Sequence, residues 1–200
     1  MSKRPIVLTV FVHEDLKDAD DDQLYEDHFD WLANTLERIS ARTVKVNLIQ
    51  PSDAPLVSNF DYKGKNLDAL LSGLEQQVRL HLLSKSDFQN RPRLPATRDV
   101  TEDNLLDKFL LLTRGPINEE VLGAAYEAGH LAIASITPTY VAAHEVGHMF
   151  DARHQDVDET FETYYGPCKT IMYKTRDDAM AFAFSKKNVE NIRNYLKQPD

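Results

Sequence analysis

One cysteine, Cys168, is all that 200 residues contain, which excludes an internal disulfide and fits a reducing compartment or an export route without oxidative folding. Positive charge is also in short supply: 23 Lys and Arg face 32 Asp and Glu, a formal net charge of -9. No basic block or stripe stands out, and phosphate affinity depends on one, so no nucleic-acid partner is expected. Long apolar runs are missing too. Nothing approaches the ~20 residues that a helix needs to cross a bilayer, and no membrane partner is expected. Repeats, low-complexity tracts and linkers are absent, and 42% hydrophobic residues suffice for the core of one compact domain.

Lys3 and Arg4 precede an apolar run, Ile6 to Val12, as in a secretory signal. The run is short, rich in Val and Ile, and passes into His13-Glu14-Asp15 without a small-residue cleavage site. It reads better as a first strand in the middle of a sheet, and the chain is expected in the cytoplasm or exported by a signal-independent route. The acidic run Asp18 to Asp22 reads as a turn and a solvated helix start, since it lacks the spaced pattern of a calcium loop. Tyr25, Phe29, Leu32, Leu36 and Ile39 then form one helical stripe, and Val44, Val46 and Leu48 alternate with Lys45 and Asn47 in a second strand ended by Pro51.

Ser52 to Gly64 has little periodicity and reads as a loop, whereas Leu67, Leu70, Leu71, Leu74, Val78 and Leu82 mark the strongest amphipathic helix in the chain. Ser84 to Asn104 reads as surface loop, Phe109 to Thr113 and Leu131 to Ile136 as strands, and about Ser185 to Lys197 as a final helix with Val189, Ile192 and Leu196 on its stripe. Alternating helices and strands imply an α/β (α+β) fold, a mixed sheet with helices packed against it.

The chemistry is concentrated at His144-Glu145-Val146-Gly147-His148, followed six residues later by His154. Positions four apart share a helix face, so His144 and His148 can aim two imidazoles at one ion. Glu145 then sits beside the metal, where a carboxylate can take a proton from a zinc-bound water. Pro138 is expected to open this helix with Thr137 as cap, and Ala142, Val146, Met149 and Phe150 to form its apolar back.

The segment from His144 to His154, with Thr170-Ile171-Met172-Tyr173 downstream, resembles the metzincin zinc endopeptidases, in particular the reprolysin (adamalysin-like) branch and its bacterial relatives. The specific match covers about thirty residues, His144 to Tyr173; upstream, only the order of elements is similar. The resemblance implies one catalytic domain over residues 1–200, with an upper part to about 150 and a lower part from about 151, an edge strand lining the cleft, and a methionine turn. It implies that His144, His148 and His154 bind Zn2+, that Glu145 is general base and then acid, and that Met172 lies under the metal as packing. The partner would be an extended peptide or protein lying along the edge strand, for which Leu131 to Ile136 is the matching segment.

One position departs from that pattern: Asp151 stands where the family usually has Gly, and Asp is among the few other residues that tolerate a left-handed turn. Asp156, Asp158, Glu159 and Glu162 remain as carboxylate substitutes for His154. Tyr173 follows Met172 directly, so it is not expected to be a ligand, and Cys168 reads as a small residue packed near the methionine turn. His13, His28, His81 and His130 lack ligand spacing and read as structural or solvated. The functional expectation is a zinc metalloendopeptidase. Its rivals are a secreted or injected protease toxin or effector of the same chemistry, for which a dedicated protein inhibitor or a signal-independent export route is expected, and a non-catalytic binding protein whose zinc only ties the motif helix to the loop beyond.

Overall fold

A computed structural model describes residues 3–84, 105–158, 161–164, 166–174 and 180–197. Strand β1 (Ile6–Val12) lies inside a five-stranded sheet of order β2-β1-β3-β5-β4, one strand in from the β2 edge, with β2 (Val44–Ile49), β3 (Asp107–Thr113) at the centre, β4 (Gly123–Ala125) and β5 (Leu131–Ser135). β1, β2, β3 and β5 run parallel, and β4 pairs antiparallel with β5.

Side-chain alternation divides the interior between the two faces of this sheet. Leu8, Val10, Leu110, Leu112, Ala132 and Ala134 face one core, with α1 (Asp21–His28), α2 (Asp30–Ser40), α5 (Val141–Met149) and α6 (Lys186–Tyr195). Phe11, Phe109, Leu111, Leu131 and Ile133 face the other, with α3 (Pro55–Ser58) and α4 (Leu67–Ser84). The Ala132-x-Ala134 pair has a direct consequence. Two methyl-sized side chains let α5, the helix with the two histidines, settle close against β5.

Several elements differ from expectation. The stripe from Tyr25 to Ile39 is broken at Phe29, whose φ of -122° interrupts the chain between α1 and α2. The segment 52–64 contains the short α3, opened by Pro55 at its first turn. In α4 the buried row is Leu71, Leu74, Val78 and His81, so His81 is 6% exposed while Leu82 is 40% exposed. α5 starts at Val141, not at Pro138. The Thr137 N–H donates to Ser135 Oγ and its carbonyl accepts from that same hydroxyl, so Thr137 belongs to the bend that follows β5 rather than to a helix cap. Beyond His154 lie β6 (Phe161–Thr163), β7 (Gly166–Thr170) and β8 (Met180–Ala181), which form a small second sheet. The expected surface loop Ser84 to Asn104 lies, except for Ser84, outside the described residues.

The edge strand is a correction. β5, built from the Leu131 to Ile136 segment, is flanked by β3 and β4, and among the described residues the sheet ends on β4. Gly123-Ala124-Ala125 has no bulky or β-branched residue and no alternation, so nothing in its sequence marks a strand; pairing with β5 makes it one.

Candidate metal centre

α5 presents His144 and His148 one turn apart, and its opposite side buries Ala142, Val146 and Met149 in the core. At its end the chain reverses. Asp151 adopts φ +67°, the left-handed conformation that Asp tolerates, and its carboxylate is held by the Arg153 guanidinium at 3.0 and 3.1 Å. The reversal returns His154 to the face of the helix it has just left. The Nε2 atom of His154 lies 3.0 Å from Nε2 of His144 and 3.0 Å from Nε2 of His148.

The donor set fits a cation. His144 Nδ1 lies 2.7 Å from Ile171 O and His148 Nδ1 lies 2.9 Å from Ala152 O. A carbonyl only accepts, so each Nδ1 carries the proton and each Nε2 of the neutral ring is a bare lone pair. Lone pairs converging within 4.8 Å repel each other unless something positive lies between them. An ion about 2.0–2.1 Å from each nitrogen satisfies them together, and the 3.0 Å separations lie within its reach. Burial acts in the same sense. It pushes His144 down to about 3 and His154 to about 4, with the neighbouring His148 adding to both, and it lowers His148 itself, so the rings are neutral and ready to coordinate. His144, His148 and His154 therefore form a cluster able to hold one metal ion.

Glu145 is buried, and its carboxyl has no hydrogen-bond partner among the described residues. Burial pushes it up to about 8. It rests against Gly123 of the edge strand, where an added Cβ would lie 2.7 Å from its Cγ and Oε1. Met172 is fully buried, and its sulfur fills the space over Gly147, where a Cβ would meet it at 2.8 Å and the Phe184 ring at 2.9 Å. A residue larger than Gly147 would separate the helix from the turn that carries Met172.

The other candidates lie elsewhere. Among the carboxylates considered for third ligand, Asp156 accepts from Asn191 and Glu162 is exposed on β6; Glu159 lies outside the described residues. The Tyr173 ring lies under Lys169 Nζ at 3.8 Å, and Cys168 is half-buried in β7. His13 contacts Phe60 O and Asp15, His28 contacts Thr139 O, His81 packs on Phe11, and His130 pairs with Glu75. Two residues of consequence were not anticipated. Gly123 gave no signal, and Asn188 gave only a weak one, an amide inside an otherwise apolar helix face.

The fold is similar to that of solved peptidases. A zinc-dependent peptidase from Methanocorpusculum labreanum (strain Z) matches with a TM-score of 0.52 and 20% identity, covering 92% of this chain and 99% of that one. Metalloproteinase-II from Bacteroides fragilis matches with a TM-score of 0.58 and 14% identity over 98% of this chain, which spans 54% of that protein. At these identities the likeness is one of fold. No family model matches the sequence, and neither does any curated protein.

Proposed function

We propose that this chain is a zinc-dependent endopeptidase of the metzincin type. The observation that carries the reading is the convergence of three imidazole nitrogens at a helix whose buried Glu145, next in sequence to His144, rests against the edge strand. The similar folds, in proteins described as a zinc-dependent peptidase and a metalloproteinase, favour the same chemistry. Three protein ligands leave a coordination position open, as catalytic zinc sites do and structural sites with four protein ligands do not.

His144, His148 and His154 hold the ion in this reading. When bound, zinc supplies a Lewis acid for the scissile carbonyl and acidifies a water at its open position. Glu145 accepts the proton of the attacking water and returns it to the amine nitrogen as the C–N bond breaks. Beside a divalent cation its carboxylate form is favoured, against the upward push of burial. Met172 supports the helix from below. The substrate is an extended or flexible peptide segment that pairs with the edge of β4 left unpaired among the described residues, a strand that passes directly over Glu145.

Incubating the zinc-loaded protein with a complex peptide library and identifying products by mass spectrometry tests this. Cleavage that a chelator abolishes and zinc restores is the expected result. Bound zinc without any cleavage would favour the non-catalytic alternative, in which the metal only ties α5 to the loop beyond it.

A further inference from the structure

Two of the three imidazoles are aimed by their own rings, His144 by Ile171 O and His148 by Ala152 O. His154 has no such outer partner among the described residues; its Nδ1 makes no hydrogen bond there. Its direction is therefore set by the backbone that carries it, and that backbone is held from α6.

Asn188, in the first turns of α6, is 0% exposed. Its Oδ1 accepts from the Arg153 N–H at 2.7 Å, and its Nδ2 donates to Arg153 O and Asp156 O, both at 3.1 Å. Three of the four hydrogen bonds available to a carboxamide thus fall on the residues immediately before and shortly after His154. Neighbours in the same helix add to this. Ser185 Oγ accepts from the Asn188 N–H at 3.0 Å and donates to Asp156 O, while Asn191 Nδ2 donates to the Asp156 carboxylate at 2.7 Å.

A buried amide costs free energy unless it is satisfied, and a helix packed through Ile192, Tyr195 and Leu196 would be better served there by an apolar residue. An aspartate of the same shape would offer acceptors alone to two carbonyl oxygens. Position 188 is thus fitted to one task, gripping residues 153–156.

We propose that Asn188 is a positioning residue for His154, and that it sets the affinity of the site for zinc by fixing the loop of the third ligand. It does through the backbone what ring hydrogen bonds do for the other two histidines. The inference rests on the zinc reading above.

The test is zinc affinity of the full chain, measured by competition with a chromogenic chelator, in wild type, Asn188→Ala, His154→Ala and the double variant. Loss of a hydrogen bond to a ligand ring weakens binding about 10–100-fold; Asn188 acts on the loop rather than on the ring, so about 10-fold, the lower end of that range, is the loss expected for Asn188→Ala. In the His154→Ala background the second substitution should have no further effect, because its action passes through that ring. Cobalt(II) provides a spectroscopic check: the d–d absorption of the tetrahedral site should weaken in Asn188→Ala. Wild-type affinity and spectrum in that variant, even with a lowered melting temperature, would overturn the proposal and leave Asn188 a structural residue. If Asn188→Ala does not fold, the half-buried Asn191→Ala takes its place, with a several-fold weakening expected and an unchanged affinity counting against. A wild-type chain that binds no zinc defeats the underlying reading, which is a different outcome from one that binds equally well with and without Asn188.

Discussion

Gly123 of the edge strand and Glu145 of the metal helix are in contact: a methyl group at position 123 would come within 2.7 Å of Cγ and Oε1 of Glu145, and within 2.7 Å of Ile133 O. The edge strand thus passes over the carboxylate with no room for a side chain between them. Gly123→Ala should therefore displace Glu145 while leaving the three histidines where they are. Displacement of a reacting group by about 1 Å costs on the order of 100-fold, so kcat should fall by roughly that factor, and the contact with Ile133 O, which strains the pairing of β4 with β5, should raise KM as well. Steady-state kinetics beside a zinc assay checks this, and loss of the metal in Gly123→Ala would show that the strand does something other than place the base.

Glu145→Gln keeps the shape of the side chain and removes its basicity. It should bind zinc as the wild type does, since the ligand set is untouched, and lose about 100- to 10,000-fold in kcat, the usual contribution of a general base. A glutamine variant that still cleaves at close to the wild-type rate would assign the proton transfer to another group.

How much of this could be read from the chain alone depended on whether a feature is local in sequence. β1 runs from Ile6 to Val12 as its apolar run implies, and the spacing of His144 and His148 places them on one face because helix geometry is local. The left-handed Asp151 follows from what that side chain tolerates. The edge strand could not be read, because Gly123-Ala124-Ala125 becomes a strand only through its pairing with β5. His81 and Leu82 exchange places for a similar reason. Helical spacing admits either, and the ring of Phe11, distant in sequence, selects the histidine at 5.6 Å. Asn188 acts on residues more than thirty positions away, and no local pattern encodes that.

Removing the metal should destabilise the fold measurably. A ligand present at 100 times its Kd stabilises the native state by about 2.7 kcal/mol. For a chain of this size each kcal/mol moves the midpoint by about 2–4 °C, so a chelator should lower it by roughly 5–10 °C. His154→Ala should melt near the chelated wild type and hardly respond to zinc. A large zinc-dependent shift that survives in that variant would point to one of the carboxylates beyond His154 as the third ligand.

Behind the site lies Lys108, on β3 and 1% exposed. Its Nζ donates to Gly129 O at 2.7 Å and to the Tyr195 hydroxyl at 2.8 Å, and sits over the rings of Phe150 and Tyr195. The turn it holds also reaches the metal helix, through the Ala128 N–H to His148 O at 2.8 Å. Burial pushes the amine down to about 7, with the Asp107 carboxylate opposing. Between about pH 7 and the ordinary lysine value near 10.4, the unfolded chain binds a proton that the native one does not. Stability therefore rises with pH through this window, by up to about 1.4 kcal/mol per unit, and is flat with respect to this group below it. Lys108→Met leaves Gly129 O and Tyr195 without their donor, a cost of about 1–3 kcal/mol that does not vary with pH over this range. The difference in unfolding free energy between wild type and variant, measured by urea titration at pH 7, 8 and 9, should consequently grow in favour of the wild type. Parallel curves for the two proteins would mean that the amine keeps its proton throughout, and that two acceptors and two aromatic faces are enough to hold a charge inside this core.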